Sequence, residues 1–335
     1  MKKSAALFCA LCAIASSQVT QAQDVKSPSM SRFYVKIAGG YYFSVFPGQF
    51  PKVGSYEPHD ERLVFNPATG ASVTVSEKVL TGSYGAGGRG RLSFGWNINQ
   101  YIAVEGTFNY YRSKKNLMTR EETTVINTST TVGKVESHGY VDAIDFAPGV
   151  VMSPGLKKVN PYVRFGLVVP LWGRLNIETD ASRSGTAAVG GQTVRTQLNV
   201  HRNEKVKPNV TLGFQGALGV AFPVANKLDI IVEAEYRNIP VRSKEKEVTV
   251  YDETVALINP ANGAVISTQH RGVDDLSTAE RHTKYVTTLD QSSNTPVGQQ
   301  GAEVSYKDDS KPANELKSYI NIGGLGGNVG LRWRF

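Results

Sequence analysis

In eight separate segments of the chain, apolar side chains occupy every second position. Residues 228–239 show this most clearly, because Ile230 and Val232 alternate with Asp229 and Glu233. Successive side chains of a strand point to opposite faces, so a period of two predicts strands with one apolar and one polar face. The eight segments are residues 32–45, 84–98, 101–111, 139–152, 161–174, 209–222, 228–239 and 318–335.

Short connections between these segments alternate with long polar ones. The long connections are residues 46–83, 113–137, 176–206 and 243–316. A sheet that crosses a membrane as a barrel has short turns at one end and long loops at the other. The alternation therefore predicts an all-β fold: a transmembrane antiparallel up-and-down β-barrel of eight strands, with short periplasmic turns and four long extracellular loops.

Two of the long connections contain the same turn sequence. The pattern N-P-A-x-G-A occurs at residues 66–71 and again at residues 259–264, each time between stretches rich in β-branched residues. Proline and glycine at these offsets favour a tight turn, so we predict a hairpin at each site that extends the barrel outward. If the second hairpin reached the membrane, the barrel would have ten strands.

The N-terminal residues have the pattern of a secretory signal peptide. Lys2 and Lys3 precede a short apolar run and a stretch of small residues, which predicts a signal peptide at 1–22. A periplasmic tail is expected at 23–31 and the barrel at 32–335. No later stretch has 18 consecutive apolar residues, which argues against membrane-spanning helices. The only two cysteines, Cys9 and Cys12, lie within the predicted signal.

The last strand segment ends on an alternating apolar motif, formed by Val329, Leu331, Trp333 and Phe335. In this motif the chain resembles the small bacterial outer-membrane β-barrels of the OmpA/OmpX/OmpW type. The resemblance implies a location in the bacterial outer membrane and contact with its lipids and lipopolysaccharide. It also implies that the barrel-assembly machinery reads the terminal strand during insertion. It indicates very little about activity.

The polar face of the eight segments carries charges of both signs. Buried charges need partners, and a barrel of eight strands is only wide enough for side chains to fill it. We therefore predict an ion-pair network that plugs the lumen. Its expected members are Lys36, Arg89, Arg91, Glu105, Asp145, Arg164, Glu233, Glu235, Arg237, Arg332 and Arg334. Because the last two segments should be neighbours, Glu233 and Glu235 are expected to pair with Arg332 and Arg334.

The formal net charge of +8 raises the question of nucleic-acid binding. The positive charges, however, lie mainly on the polar strand faces and in the short turns, while the four long connections are together acidic. Nucleic-acid binding needs a basic patch on an exposed surface. The sequence therefore predicts no nucleic-acid partner.

No catalytic, cofactor or metal site is evident in the sequence. The five histidines lie in or beside the long connections without the spacing of metal ligands. Glu136, Ser137 and His138 are consecutive, and adjacent residues of a strand point to opposite faces, so they do not form a triad by themselves. We expect no enzymatic activity and no cofactor.

Three functions are compatible with these features. The first is a non-enzymatic outer-membrane protein whose long connections form an extracellular surface that binds a ligand or docks another envelope protein. The second is a narrow channel for small or apolar solutes. The third is an enzyme that modifies outer-membrane lipids, which would need a nucleophile and a base at the outer rim.

Overall fold

The computed structural model describes residues 31–45, 47–209, 211–300 and 303–335, which are mostly β-strand. The predicted signal peptide, and the predicted tail apart from Ser31, lie outside the described residues. The strands are β1 (Phe33–Phe43), β2 (Gly48–Gln49), β3 (His59–Asn66), β4 (Ala71–Val79), β5 (Thr81–Gly82), β6 (Gly87–Asn97), β7 (Ile102–Ser113), β8 (Asn116–Val125), β9 (Thr131–Met152), β10 (Asn160–Val189), β11 (Gln192–Asn209), β12 (Gly213–Ala225), β13 (Leu228–Asn238), β14 (Pro240–Ile258), β15 (Val265–Gly272), β16 (His282–Val286), β17 (Pro296–Gln300), β18 (Glu303–Tyr306), β19 (Ala313–Leu316), β20 (Tyr319–Asn321) and β21 (Gly324–Arg334).

Among the described residues, helical structure is confined to one short segment. A 3-10 helix (Val273–Asp275) and helix α1 (Thr278–Arg281) follow β15, and the Ser277 hydroxyl caps α1 by accepting a hydrogen bond from the Glu280 backbone. No helix of the described residues has the length and apolar character to cross a membrane.

Seventeen of the described strands belong to one sheet. The all-β class agrees with the sequence prediction, but the prediction of an eight-stranded antiparallel up-and-down barrel is wrong. The sheet is mixed, since β3 pairs in parallel with β8 and β16 with β19, and its strands are not spaced evenly around one axis. The physical reason is that β9 and β10 continue far into the predicted loops, where β11, β14 and further strands pair beside them.

Eight strands contain most of the alternating segments. β1 pairs antiparallel with both β6 and β21. From β6 the antiparallel pairing continues through β7, β9, β10, β12 and β13 to β21. We call these eight the inner strands. They bring the polar faces of the predicted segments together.

The outward faces of the inner strands are apolar and exposed. On β6 and β13, buried and exposed positions alternate along almost the whole strand. The exposed positions carry large apolar side chains, including Ile37, Phe94, Phe165 and Leu218. A soluble monomer rarely exposes apolar side chains over so wide an area. An apolar outer face is what contact with hydrocarbon requires.

The outer parts of the long strands form an open sheet beyond the apolar belt. Its order is β4-β3-β8-β9-β10-β11-β14-β15, and we call it the outer sheet. Its two ends are the hairpins β3–β4 and β14–β15, which contain the repeated turns at 66–71 and 259–264. Both predicted hairpins are thus confirmed. The segments expected as loops consist largely of strand.

Candidate functional site

A layer of charged side chains lies between two apolar clusters inside the inner strands. Along β13, Glu233, Glu235 and Arg237 occupy successive inward positions between the buried side chains of Ile231 and Ile239. All three charged side chains are almost completely buried. Because inward positions recur every second residue, each neighbouring strand adds one or two polar side chains to the same layer.

One group of ion pairs is centred on the carboxylates of Glu105, Glu233 and Glu235. Lys36 Nζ lies 2.5 Å from Glu105 Oε2, and Arg91 forms ion pairs with both Glu233 and Glu235. Arg164 Nη2 lies 3.3 Å from an oxygen of Glu233 and 3.3 Å from an oxygen of Glu235. Each carboxylate therefore meets at least two cations, which is the arrangement that offsets the cost of removing charges from water.

A second group is centred on Asp145. Its Oδ1 accepts hydrogen bonds from Arg237 Nη2 at 2.6 Å and from Asn109 Nδ2 at 2.8 Å, and its Oδ2 accepts one from Arg89 Nη1 at 3.2 Å. The Arg89 guanidinium also stacks over the ring of Tyr42. Asp145 thus joins β6, β7, β9 and β13 across the interior.

Three tyrosines that the sequence prediction missed complete the network. Tyr34 donates to Glu105 at 2.8 Å, Tyr162 donates to Glu233 at 2.7 Å, and Tyr42 donates to Glu235. Tyr34 and Tyr42 share the inward parity of Lys36, so the signal was present in the alternation of the first segment. Their hydroxyl groups add hydrogen bonds to carboxylates inside the protein, where polar atoms need partners.

Glycine makes room for two of these aromatic rings. A β-carbon at position 95 would overlap the ring of Tyr34, and one at position 219 would overlap the ring of Tyr162. Gly95 lies opposite Tyr34 on the neighbouring strand, and Gly219 lies opposite Tyr162 in the same way. The interior is therefore filled by complementary large and small residues.

The predicted pairing of Glu233 and Glu235 with Arg332 and Arg334 is wrong. β13 and β21 are neighbours as expected, but in their register Arg332 lies opposite Asp229 and Glu233 lies opposite Asn328. Arg332 and Arg334 both form ion pairs with Asp229, at 2.7 and 3.0 Å. Parity identified the correct face of each strand, whereas the register depends on how the whole sheet packs.

The predicted assembly motif lies on the outward face of the last strand. Val329, Leu331 and Trp333 of β21 are exposed, and so is the terminal Phe335. The Phe335 backbone N–H donates to the Phe33 carbonyl at 2.9 Å, so the two aromatic residues lie side by side. Recognition of this motif during insertion stays a prediction.

An apolar cavity opens where β10 changes its partner. β10 pairs with β12 as far as Val168 and with β11 from Leu175 onward. The lining includes Trp172, Arg174 and Arg242, and it reaches inward to buried apolar residues of β9 and β14. Pro170 and Pro208 lie beside the break, each at a register shift of its ladder, which is a kind of position where a sheet tolerates proline.

A smaller charge cluster stabilises the outer sheet. The buried Glu204 lies 2.6 Å from Arg202 and 3.4 Å from Lys246, which in turn lies 2.9 Å from Glu315. Burial raises the pKa of Glu204, but the charges of Arg202 and Lys246 outweigh it and hold that pKa below the ordinary value. Burial lowers the pKa of Lys246, but Glu315 and Glu204 outweigh it and raise the pKa above the ordinary value.

The consecutive residues Glu136, Ser137 and His138 do not act as one site. The Ser137 hydroxyl is buried and hydrogen-bonded to Thr179 at 2.8 Å, while the His138 ring faces the other side of β9, 3.6 Å from Glu136. In the part of the chain that the structure describes, no three His, Cys, Asp or Glu side chains gather in a way that could hold a metal ion.

Comparison with known proteins gives similarity to solved structures only. No protein-family model matches the chain, and no curated protein matches it. It is similar to the crystal structure of a major outer membrane protein from Thermus thermophilus, at 10% identity and a TM-score of 0.29, with 91% of this chain and 100% of that chain covered. A likeness at this TM-score carries no argument about fold or function. The resemblance to the OmpA/OmpX/OmpW type stays a prediction.

Proposed function

We propose that this chain is an integral protein of the bacterial outer membrane, without enzymatic activity, whose interior is plugged by ion pairs and whose outer sheet binds an extracellular ligand or docks another envelope protein. One observation supports this proposal above the others. On the inner strands the large apolar side chains point outward and the charged ones point inward, the reverse of a soluble sheet protein.

The inverted pattern has an energetic consequence. Fully burying a large apolar side chain stabilises by about 1.5–3 kcal/mol relative to leaving it in water, and the outward faces present many such side chains. If the protein were in water, the apolar side chains on the outward faces of all the inner strands would lack this stabilisation. In a bilayer, lipid chains cover these side chains, while Arg91, Arg164 and their carboxylates remain paired inside.

The plug follows from how the charged layer is built. Arg164 of β10 forms ion pairs with both Glu233 and Glu235 of β13, and all three side chains are less than 3% exposed. Water or a solute could pass only if several ion pairs broke together. We therefore expect no steady large conductance.

The experiment combines fractionation with single-channel recording. Full-length chain expressed in a Gram-negative host should be recovered with the outer membrane, and a folded sample should migrate differently from a boiled one on a gel. Purified protein in planar bilayers should show no steady openings. Recovery in the soluble periplasm would refute the membrane proposal, and stable large openings would refute the plug.

The second candidate, passage of small apolar solutes, is favoured by the cavity at the partner change of β10. This cavity leads from the outward-facing Trp172 to the buried side chains of Val141 and Leu175 without crossing the charged layer. The substitution Ala143→Trp, which would fill the inner end of the cavity, should abolish uptake of an apolar dye if this route operates. The same change should leave uptake unaffected under the leading proposal.

Lipid modification has weaker support. It would need a nucleophile and a base close together at the outer rim, and Ser137 and His138 lie on opposite faces of β9.

We also propose, from the C-terminal motif, that the barrel-assembly machinery inserts the chain, and that lipopolysaccharide and other outer-membrane lipids surround it.

A further inference from the structure

The outer sheet ends on two strands with a free edge each. Among the described strands, β4 is paired with β3 alone and β15 with β14 alone. Every residue of β4 is exposed, and so are the first six residues of β15. Both strands therefore present a row of unpaired backbone N–H and C=O groups to solvent.

Over most of its length, neither edge carries the usual protection against pairing, since Glu77 and Lys78 of β4 and Arg271 of β15 lie only near the strand ends. Natural edge strands are blocked by lysine, proline or inward-pointing charges. Residues 71–76 read ASVTVS and residues 265–269 read VISTQ, without a charge or a proline. Val73 and Val75 are each 62% exposed, and Val265 and Ile266 are 61% and 56% exposed. Strands of this composition pair readily with another strand.

The two edges run in the same direction. Between β4 and β15 the outer sheet contains six antiparallel pairings and one parallel pairing, β3 with β8. An even number of reversals leaves β4 and β15 parallel. The single parallel pairing thus determines the relative direction of the two edge strands.

Copies of one protein in one membrane have the same orientation. Because β4 and β15 run in the same direction within each copy, these edge strands of two copies can pair only in parallel. In a parallel ladder, a residue whose backbone groups face the neighbour lies beside one whose groups face away. A dimer with a twofold axis along the membrane normal would place the same residue of two β4 strands side by side. The backbone groups of both residues would then face each other, which breaks that alternation, so β4 cannot pair with β4 in this way. β15 and β4 are different strands and can meet with the alternation intact.

We propose that the partner of each edge is a second copy of this chain: β15 of one copy pairs in parallel with β4 of the next, so that the outer sheets become continuous. The proposal rests on the membrane location proposed above. The match in length, nine residues in β4 and eight in β15, allows pairing along both whole strands. A head-to-tail contact of this kind leaves a free edge at each end, so it builds rows or rings rather than dimers alone.

Cysteine crosslinking tests this pairing directly, because the chain has no cysteine outside the predicted signal peptide. The variants are Val73→Cys on β4, Ile266→Cys on β15, and the double variant. Val297→Cys on β17, which is 64% exposed and lies outside the outer sheet, is the matched control. A short bismaleimide is added to intact cells, and outer-membrane fractions are run on gels.

Head-to-tail pairing predicts a ladder of dimers, trimers and higher species from the double variant, and dimers when the two single variants are expressed together. Each single variant alone, and the control, should remain monomeric. Dimers from Val73→Cys alone would overturn the proposal, because they would show β4 paired with β4. If every variant and combination remained monomeric, the proposal would also be overturned. An extended segment of another protein would then be the partner of the free edges.

A second variant separates failure to pair from failure to fold. Ala71→Lys combined with Val75→Lys, placed in the Val73→Cys with Ile266→Cys background, should abolish the ladder while the protein stays heat-modifiable in the outer membrane. An unchanged ladder would overturn the role of β4. Absence of the unmodified chain from the outer membrane would instead refute the proposed function on which the inference rests.

Discussion

Arg332 Nε donates to Asp229 Oδ2 at 2.7 Å, and Arg334 binds the other oxygen of the same carboxylate at 3.0 Å. Asp229 is almost fully buried, whereas the two arginines are partly exposed. One carboxylate at the N-terminal end of β13 thus binds the last two arginines of β21. The free energy of this contact depends on all three side chains being present.

The first prediction is a double-mutant cycle at this contact. Asp229→Ala should lower the free energy of unfolding by roughly 1.5–3 kcal/mol, because it removes the charged partner of two arginines that remain partly exposed to water. Adding Arg332→Met should recover part of the loss, measured by urea unfolding in lipid vesicles. Glu233→Ala with Arg332→Met is the control cycle, and its effects should add, since these residues do not touch. Coupling in the control cycle would contradict the register.

The second prediction concerns the inward glycine beside Tyr162. Gly219→Ala should destabilise the protein by about 1–3 kcal/mol, because its β-carbon would overlap the tyrosine ring. Gly216→Ala on the same strand has open space around it and should have little effect. The midpoint of denaturant unfolding measures both changes. Equal midpoints would show that the ring is not packed against Gly219.

The third prediction is the pH dependence of the outer sheet. The pKa of Glu204 is lowered by its cations, so its stabilising contribution is complete above the ordinary glutamate pKa of 4.5 and is lost as the pH falls below that value. The pKa of Lys246 is raised, so its contribution persists up to its ordinary pKa of 10.5 and is lost only at higher pH. Protease resistance of the outer sheet should therefore be constant from about pH 5 to 10.

Two glutamine variants check this assignment. Glu204→Gln should lower protease resistance at pH 7 and remove most of the decline in acid, since the titrating group is gone. Glu245→Gln is the matched control: its partner Lys207 and the carboxylate itself are exposed, and exposed pairs contribute little. An acid transition that is the same in wild type and Glu204→Gln would assign it to another group.

The fourth prediction concerns the terminal aromatic residue. Phe335→Ala should reduce the amount of protein in the outer membrane far more than Phe33→Ala. The two side chains are matched, since they are 61% and 58% exposed and belong to paired backbone segments at the same end. A difference in yield would therefore reflect recognition of the C terminus rather than lost apolar contact. Equal yields on immunoblots of membrane fractions would exclude a terminal signal.

Much of the buried network was predictable from single residues. Lys36, Glu105, Arg164 and Glu233 lie on the polar parity of their segments, and the structure buries and pairs all four. Parity is a local property of an extended chain, so no knowledge of the tertiary fold was needed to place them on one face. The tyrosines beside them followed the same parity but were not included among the polar candidates.

The shape of the outer sheet was not predictable in the same way. The repeated turns at 66–71 and 259–264 predicted the two hairpins, because proline and glycine act locally. That β3 would join β8 in parallel, and so turn β4 and β15 the same way, depends on contacts between residues about sixty positions apart. Such pairings have no local signature, since many strands of similar composition could have taken their place.

By itself, the sequence determined that the eight alternating segments form strands, which side of each of them is apolar, and where the two tight turns lie, because these follow from side-chain alternation and backbone preference along the chain. Only the tertiary structure decided which strand pairs with which and at what offset. It placed Arg332 beside Asp229 instead of Glu233, and it extended the sheet to seventeen strands where eight were expected. The reason is that a shift by two residues preserves every parity, so the register is selected by the packing of the whole interior.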